Sequence, residues 1–359
     1  MSSESFAKPQ SPSASAPPSP GGRNALKLRD GIKGGSAKLP VSRPRLIVGI
    51  IVGILLLIAG LGIYWSQQPP KFDVLETTER RLGVDPATVE PGAVSVATAI
   101  EVASTLLEKP GGYLHNDVMP PGVYLTFMPN WEYGVLTELR DSVQAFRNDF
   151  GRAQTQSLED ANLKEADLQF KFDANSWMLP ASEQEYRKGI VALERFLEEL
   201  KSPGGSNARF YIRADNLGAY LQLVEKRLGG YGQRLVASVG DPVLMEALAA
   251  AENDQADAAP SWFEVERTFY EARGYSWALL HMMRALAIEF SDVLKQKNAE
   301  VSMQNVIRDL ELATVKQWSP LVLNGHGFGM FANHSLVLAS YVARTNSAVL
   351  DLRRLLERG

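Results

Sequence analysis

The chain has 359 residues, of which 45% are hydrophobic and 22% charged, a composition typical of a folded protein with one large or two ordinary domains. The first 45 residues hold eight basic and two acidic residues, so their net charge is +6. The rest of the chain holds 29 basic and 39 acidic residues, so its net charge is −10. Because an acidic body repels the phosphate backbone, this distribution argues against nucleic-acid binding.

The one long apolar run predicts a transmembrane helix over residues 46–65. LIVGIIVGILLLIAGLGIY, residues 46–64, is uncharged and would form a helix about 28 Å long, close to the thickness of the bilayer core. Tyr64 and Trp65 at its end suit the membrane interface. A cleaved signal peptide has a shorter apolar stretch and a small-residue cleavage site, and neither is present. The run is therefore interpreted as an uncleaved anchor that contacts the lipid bilayer.

Charges on either side of the helix predict its orientation. Arg43 and Arg45 precede it directly, whereas the first charges after it are Lys71 and Asp73. Since basic residues remain on the cytoplasmic side, we expect a cytoplasmic N-terminus and an exported domain. The expected location is the inner membrane of a bacterium, with the C-terminal domain in the periplasm. The absence of cysteine does not oppose this, because a domain of this size folds without disulfides.

Three regions follow from these features. Residues 1–45, with a Pro- and Ser-rich segment, are predicted to be a disordered cytoplasmic tail. Residues 46–65 are the transmembrane helix, and residues 66–359 form a mostly helical domain with a possible sub-boundary near 203–214. Within the membrane helix, Gly49 and Gly53 form a GxxxG motif that could pair two copies into a homo-oligomer, although glycine is common in membrane helices.

The pattern of the exported region predicts an all-α fold with one or two packed helical bundles. Helical patterns bounded by capping or breaking residues cover 96–107, 131–150, 157–170, 182–200, 215–228, 261–297, 302–316 and 333–357. Ser182 and Ser261 each precede a glutamate by three residues, which predicts capping boxes. Gly229 and Gly230 predict a helix end, and only 208–212 reads as a strand.

Several motifs together resemble a bacterial inner-membrane family catalogued as domain of unknown function 2333. The resemblance runs from about residue 60 to the C-terminus. It is carried by WSQ (65–67), KPGGYLHNDVMPPGVYL (109–125), MPNWEYGVL (128–136), RADNL (213–217), FYEARG (269–274), WALLHMMRA (277–285) and LVLNGHGFGMFANHSLVLASY (321–341). The resemblance implies one N-terminal anchor and a uniform external domain, and it implies no reaction.

Two polar loops are candidate binding sites. The first contains Asn116 and Asp117, and the second leads into Asn333 and His334. The second loop also contains Asn324, Gly325, Gly327 and Gly329. Glycines before a helix start could expose backbone N–H groups to an anion. In the alternative interpretation Asn333 caps the last helix and the glycines permit tight packing.

No metal or cofactor is predicted. A metal site would require the two loops to meet and to supply His115, Asp117, His326, Asn333 and His334. The chain has no HExxH or CxxC motif and no histidine pair at helical spacing to support such a site. His281 lies among apolar residues and is predicted to be a hydrogen-bonded core residue.

Catalytic residues are not assigned, although Asp117 and Glu271 are the candidates for an acid. Glu264, Arg267 and Glu271 share one helix face, which is also typical of a surface ion pair. Motifs for acyl transfer are absent from the sequence. The preferred function is therefore a membrane-anchored, non-enzymatic binding or scaffold module with an envelope protein or glycan as partner. The alternative is a periplasmic hydrolase that acts on cell-wall glycan.

Overall fold

The computed structural model describes residues 43–153, 158–201, 208–237, 262–315 and 333–358. Within these ranges the chain forms eleven α-helices and no β-strand, which confirms the all-α prediction. The helices are α1 Arg43–Trp65, α2 Val74–Leu82, α3 Ala93–Glu108, α4 Phe127–Ala145, α5 Ala161–Phe170, α6 Ser182–Leu200, α7 Ala214–Ala237, α8 Trp262–Glu289, α9 Ser291–Gln296, α10 Glu300–Ala313 and α11 His334–Glu357. A π-helical turn, Phe146–Phe150, extends α4.

The strand predicted over 208–212 is wrong. This segment is irregular and packs against the end of the π-helical turn. Phe210 stacks on Phe150 with ring centroids 4.9 Å apart, and the Tyr211 N–H donates to the Phe150 carbonyl at 2.7 Å. Aromatic and β-branched residues favour strands only where a second strand is available for pairing, and here the same residues bury their rings against a helix end.

The capping box predicted at Ser182 is also wrong. Ser182 is already the first residue of α6, and its hydroxyl donates toward the carbonyls of Asp173 and Ser176, at 2.7 and 2.8 Å. Glu185 forms an ion pair with Lys188 instead of reaching back to the helix start. The hydroxyl therefore fixes the preceding loop. The second predicted box begins at Ser261, outside the described residues.

The helix end predicted at Gly229 and Gly230 is wrong, because α7 continues to Ala237. A glycine inside a helix costs about 1 kcal/mol. Helix α7 packs along α11 and buries Leu228 and Leu235 on either side of the glycines. Burying each such side chain contributes about 1.5–3 kcal/mol, so tertiary packing outweighs the local preference to stop.

Helices α4 and α8 cross at the centre of the domain with their backbones in contact. A Cβ on Gly134 would overlap the carbonyl oxygen of Glu271, and a Cβ on Gly274 would overlap that of Trp131. Only glycine permits this approach at both positions. Helix α8 is consequently buried along most of its length, and the other helices pack around this pair.

The remaining helices form the outer layer. Helix α3 packs on α8, α6 and α2 pack on α3, α5 packs on α6, and α7, α10 and α11 form the other side. Glu289 at the end of α8 caps α3, since its carboxylate accepts from the N–H groups of Gly92 at 2.9 Å and Val94 at 2.7 Å. One hydrophobic core contains residues from every helix from α2 to α11, on both sides of the predicted sub-boundary near 203–214.

Helix α1 is long and apolar enough to cross a membrane, and no other helix among the described residues meets that criterion. Its residues from 51 onward belong to the same compact unit as the helical domain. Gly49 and Gly53 face open space, and pairing of two copies through them stays a prediction. Of the tail predicted over residues 1–45, residues 43–45 belong to α1, and residues 1–42 lie outside the described residues.

Candidate functional site

The end of α1 lies against a loop rich in motif residues, 109–126, which we name the exit loop. A Cβ on Gly111 would lie 2.8 Å from the ring of Trp65, and the φ of Gly111 is +89°, so this position requires glycine. One turn earlier in α1, a Cβ on Gly62 would touch Pro121 at 3.7 Å. The exit loop therefore contacts α1 at two successive turns.

A buried ion pair holds the exit loop in place. Glu132 of α4 is completely buried and pairs with the Lys109 ammonium, which also donates to the Gly112 carbonyl. The same carboxylate accepts from the N–H groups of Leu114 at 2.9 Å and His115 at 2.7 Å. Burial raises the pKa of Glu132 to about 7, although Lys109 and the two N–H groups lower it in part. An ammonium and two backbone N–H groups are directed at this carboxylate, so its polar atoms have partners although it is buried.

Asn116, a predicted binding residue, joins the exit loop to the loop between α5 and α6, residues 171–181, which we name the neighbouring loop. Its side-chain N–H group donates to the Ser176 carbonyl at 2.8 Å and to the Glu183 carboxylate at 3.0 Å. The adjacent His115 uses its Nδ1 on the Pro129 carbonyl at 2.8 Å. Asn116 therefore joins the two loops, and His115 joins the exit loop to α4, while ligand binding by Asn116 stays a prediction.

Asp117, the predicted binding residue and candidate acid, is half-buried at the end of the same turn. Its carboxylate lies against Gly122, where any side chain would overlap it. Burial raises the pKa of Asp117, the negative charge of Glu183 raises it further, and Lys109 opposes the rise. A partly exposed carboxyl group with a raised pKa is the type of group that an acid catalyst uses.

Glu271, the second candidate acid, lies in a different environment. It is buried on α8, with Arg234 of α7 at 3.1 Å and Arg267 at 3.7 Å. Its carboxylate thus faces α7 and joins two helices through guanidinium groups. Glu264 is exposed one turn before Arg267. Arg213 and Asp215 also form an ion pair, with a closest distance of 2.5 Å.

The second predicted loop lies mostly outside the described residues. The residues of this loop that are not described include His326 and the predicted binding residues Asn324, Gly325, Gly327 and Gly329. Asn333 caps α11, because its side-chain oxygen accepts from the Leu336 N–H at 2.8 Å. His334 is the first residue of α11, and its ring centroid is 6.4 Å from that of Phe269. Whether the two loops meet stays a prediction, and no group of metal ligands exists among the described residues.

A cavity of about 740 Å³ lies where α1 leaves the exit loop and passes α8. Its lining is mostly apolar and consists of Leu55, Ile58, Ala59, Gly62, Ile63, Ser66, Gln67, Gln68, Pro121, Tyr124, Leu125, Thr126, Phe127, Glu266, Tyr270 and Arg273. This volume is typical of small-molecule sites in proteins. One wall of the cavity is thus the helix that the sequence predicts to cross the membrane.

Arg273 is the buried cation of this cavity. Its guanidinium donates to the carbonyls of Ala313 at 3.4 Å and Val315 at 2.9 Å and to the side-chain oxygen of Gln68 at 3.1 Å. Among the described residues no carboxylate lies within ion-pair distance of it. Burial lowers the pKa of Arg273 to about 10, so at neutral pH the group keeps its charge in an environment that disfavours charge.

Residues 41–359 match a bacterial family described as "Uncharacterized protein conserved in bacteria (DUF2333)". The match covers far more than half of the chain. The chain belongs to the DUF2333 family. Searches among curated proteins and among solved structures give no match.

Three of the DUF2333 motifs in this sequence meet at the cavity. WSQ (65–67) ends α1, KPGGYLHNDVMPPGVYL (109–125) is nearly the whole exit loop, and FYEARG (269–274) contains Tyr270 and Arg273. Sequence reasoning identified these motifs and missed the site, because their convergence depends on tertiary packing. The signal that could have found it is the position of Arg273 directly before the mostly apolar stretch 274–283 of α8.

A second buried acid of this DUF2333 chain was also missed. Glu138 of α4 is buried and accepts from the hydroxyls of Ser142 at 2.6 Å and Tyr220 at 2.7 Å. Its other oxygen and the hydroxyl of Tyr275 have no hydrogen-bond partner among the described residues. Burial raises the pKa of Glu138 to about 7. A glutamate within the apolar stripe of α4 is the sequence signal for this group.

Proposed function

We propose that this chain is a membrane-anchored, non-enzymatic binding or scaffold module of the bacterial cell envelope. In this proposal α1 crosses the inner membrane, the basic N-terminal segment is cytoplasmic and the helical domain is periplasmic. The apolar length of α1 and the position of Arg43 and Arg45 before it support this orientation. The envelope partner is a protein or a glycan.

The contact between the exit loop and α1 inside its uncharged run is the observation that carries the proposal. Gly62 belongs to the run 46–64 and faces Pro121 and Leu125, each 3.7 Å from where its Cβ would be. The exit loop therefore lies at the depth of the lipid headgroups or slightly deeper when α1 spans the bilayer. A domain held in this way has a fixed orientation relative to the membrane, as a scaffold requires.

The surface around the exit of α1 is apolar, as expected for contact with lipid. Met119 and Tyr124 of the exit loop are 70% and 75% exposed, and Leu179 of the neighbouring loop is 91% exposed. Val118, Val123, Trp177 and Met178 of the two loops are about half exposed. Grouped apolar residues on a surface mark a membrane or protein contact, and aromatic residues favour the membrane interface.

One observation favours the alternative, a periplasmic hydrolase acting on cell-wall glycan. Asp117 is partly exposed and its pKa is raised, as a general acid requires. The other candidates have structural partners, since Asn116 connects two loops, Glu271 lies between two arginines and Asn333 caps α11. The hydrolase therefore depends on Asp117, and purified cell-wall sacculi test it. We expect no release of soluble fragments; release that Asp117→Asn abolishes would favour the hydrolase.

Single-cysteine labelling tests the membrane orientation, because the chain contains no cysteine of its own. With an impermeant maleimide on spheroplasts, we expect Glu198→Cys to react and Ser13→Cys to react only after lysis. An environment-sensitive fluorophore on Met119→Cys should shift to the blue on reconstitution into liposomes. The matched control is Leu168→Cys, an apolar residue of α5 that is 60% exposed. Equal emission from both positions would contradict contact of the exit loop with lipid.

In-cell crosslinking of the full-length anchored protein tests the binding function. We expect the same defined envelope protein to be captured by the wild type and by a variant carrying Asp117→Asn and His334→Ala. Capture of wall fragments alone, lost in the folded variant, would favour the glycan hydrolase instead.

A further inference from the structure

We propose that the cavity at the exit of α1 binds one anionic phospholipid of the periplasmic leaflet, with the lipid phosphate on Arg273 and an acyl chain along α1. The inference rests on the membrane anchoring proposed above. It adds a ligand class and a residue that recognises it.

The apolar walls of the cavity fit an acyl chain. Leu55 and Ile63 mark the ends of the α1 wall, a surface about 12 Å long at 1.5 Å per residue. The opposite wall presents Tyr124, Phe127 and Tyr270. A space of this length between a membrane helix and aromatic side chains opens directly to the region that lipid chains occupy.

Arg273 supplies the polar end of the site. A guanidinium has five N–H donors, and the hydrogen bonds of Arg273 to described residues are with neutral oxygens of Gln68, Ala313 and Val315. The two carbonyls lie at the C-terminal end of α10 and just after it, and their negative partial charge offsets part of the positive charge of Arg273. A buried arginine with no carboxylate among its described neighbours is suited to a phosphate, which it binds through two parallel hydrogen bonds.

The polar and apolar ends of the cavity are arranged like the headgroup and the acyl chains of a membrane lipid. Gln68, which contacts Arg273 at 3.1 Å, follows the interfacial Trp65 by three residues, at the level of the headgroups. Leu55 is ten residues before Trp65, about 15 Å deeper along α1. The cation is therefore at headgroup level and the apolar wall is at chain level.

Glu266, the one acidic side chain of the lining, does not replace the phosphate. It is two helical turns from Arg273 on α8, about 10 Å along the axis. Burial raises its pKa, and a side-chain hydrogen bond with Thr126 lowers it. At this distance Glu266 opposes the attraction between Arg273 and a phosphate only weakly.

The test is lipid retention by the full-length protein. It is reconstituted in nanodiscs of phosphatidylcholine with a minority of phosphatidylglycerol, released into mild detergent and examined by native mass spectrometry. We expect one phosphatidylglycerol on the wild type and at least about tenfold less on Arg273→Gln, because charge-assisted hydrogen bonds to phosphate are lost. Arg267→Gln, on the exposed side of the same helix, should retain the lipid.

A second pair of variants tests the apolar wall without touching the charge. Ala59→Phe fills the cavity from an exposed position of α1 and should reduce retention, whereas Leu57→Phe, which is outside the lining, should not. This pair decides the question if Arg273→Gln fails to fold by circular dichroism. Equal retention by all variants, or no preference for phosphatidylglycerol over phosphatidylcholine, would overturn the lipid site. Extraction of the protein from membranes by alkaline carbonate would instead overturn the anchoring itself.

Discussion

Two glutamates on α4, Glu132 and Glu138, are both completely buried and have opposite surroundings. Glu132 pairs with Lys109 and accepts from two backbone N–H groups. Glu138 accepts only from the hydroxyls of Ser142 and Tyr220, and one of its oxygens has no partner among the described residues. The charged form of the first acid therefore has an ammonium and two N–H donors, and that of the second has only two hydroxyls, although burial raises the pKa of both acids to about 7.

The difference separates two parts of the molecule. Beside the exit of α1, charge is matched by charge, because the Lys109–Glu132 ion pair holds the loop that contacts α1. Between α4, α7 and α8, the interior contains a carboxyl group whose ionisation costs free energy when the protein is folded. We expect removal of a partner to matter most at Glu132, and replacement of the acid by its amide to change the pH dependence of stability at Glu138.

Lys109→Met should produce the largest loss. It leaves the Glu132 carboxylate buried with no cation, which costs about 3–5 kcal/mol in the free energy of unfolding. Denaturation of the full-length protein in detergent measures this loss. Lys201→Met is the matched control, because Lys201 pairs with the exposed Glu198 at 2.6 Å and such surface pairs contribute about 0–1 kcal/mol. Similar losses in both variants would show that the Lys109–Glu132 pair has no special role.

Glu138→Gln should change the pH dependence of stability. The pKa of Glu138 is about 7 in the folded protein and 4.5 as a model value, so the folded state binds more protons between these pH values. The stability of the wild type therefore falls as pH rises from 5 to 8, by on the order of 2 kcal/mol from this group. Glutamine keeps the shape and does not ionise.

The measurement for Glu138→Gln is the free energy of unfolding at pH 5 and at pH 8. We expect the variant to gain on the wild type at pH 8 and to differ little at pH 5. Glu165→Gln, which removes an exposed partner of Arg195, should leave the slope with pH unchanged. A wild-type protein that is equally stable at both pH values would contradict the assignment.

Helix periodicity predicted most of the fold, and the failures share one physical cause. The helices over 96–107 and 333–357 are present because their apolar spacing and their ends agree with tertiary packing. The strand at 208–212, the capping box at Ser182 and the break at Gly229 fail because tertiary contacts outweigh local preference. Propensities of about 1 kcal/mol or less decide an element only where packing does not.

The candidate site was predictable in part. The motif 109–125 was recognised, and Asn116 and Asp117 were assigned to ligand binding. The structure uses Asn116 to join two loops and keeps Asp117 half-exposed beside Gly122. The sequence alone does not mark Arg273 and Glu132, because it shows both only as charged residues within helices. The partner of Arg273, Gln68, is more than a hundred residues away, and the partner of Glu132, Lys109, lies in another element.

Asn116→Ala should weaken the region around the exit of α1 by an intermediate amount. It removes hydrogen bonds to Ser176 and Glu183, worth about 1–2 kcal/mol together. Amide hydrogen exchange should rise in the exit loop and in the neighbouring loop, while α7 and α11 stay protected. Asn175→Ala, an exposed asparagine that contacts only its own loop, is the control. Unchanged exchange in both loops would mean that Asn116 does not connect them.

Ser142→Ala should give the smallest effect and sharpen the contrast between the two glutamates. The hydroxyl donates to Glu138 at 2.6 Å and lowers its pKa, so its loss should raise the pKa of Glu138 further and cost about 1 kcal/mol at pH 8. The loss should shrink toward pH 5, because a protonated Glu138 needs the donor less. Ser340→Ala, an exposed serine of α11, should lose nothing at either pH. A loss for Ser142→Ala that is equal at both pH values would mean that Glu138 does not titrate between them, and the distinction between a compensated and an uncompensated buried acid would then disappear.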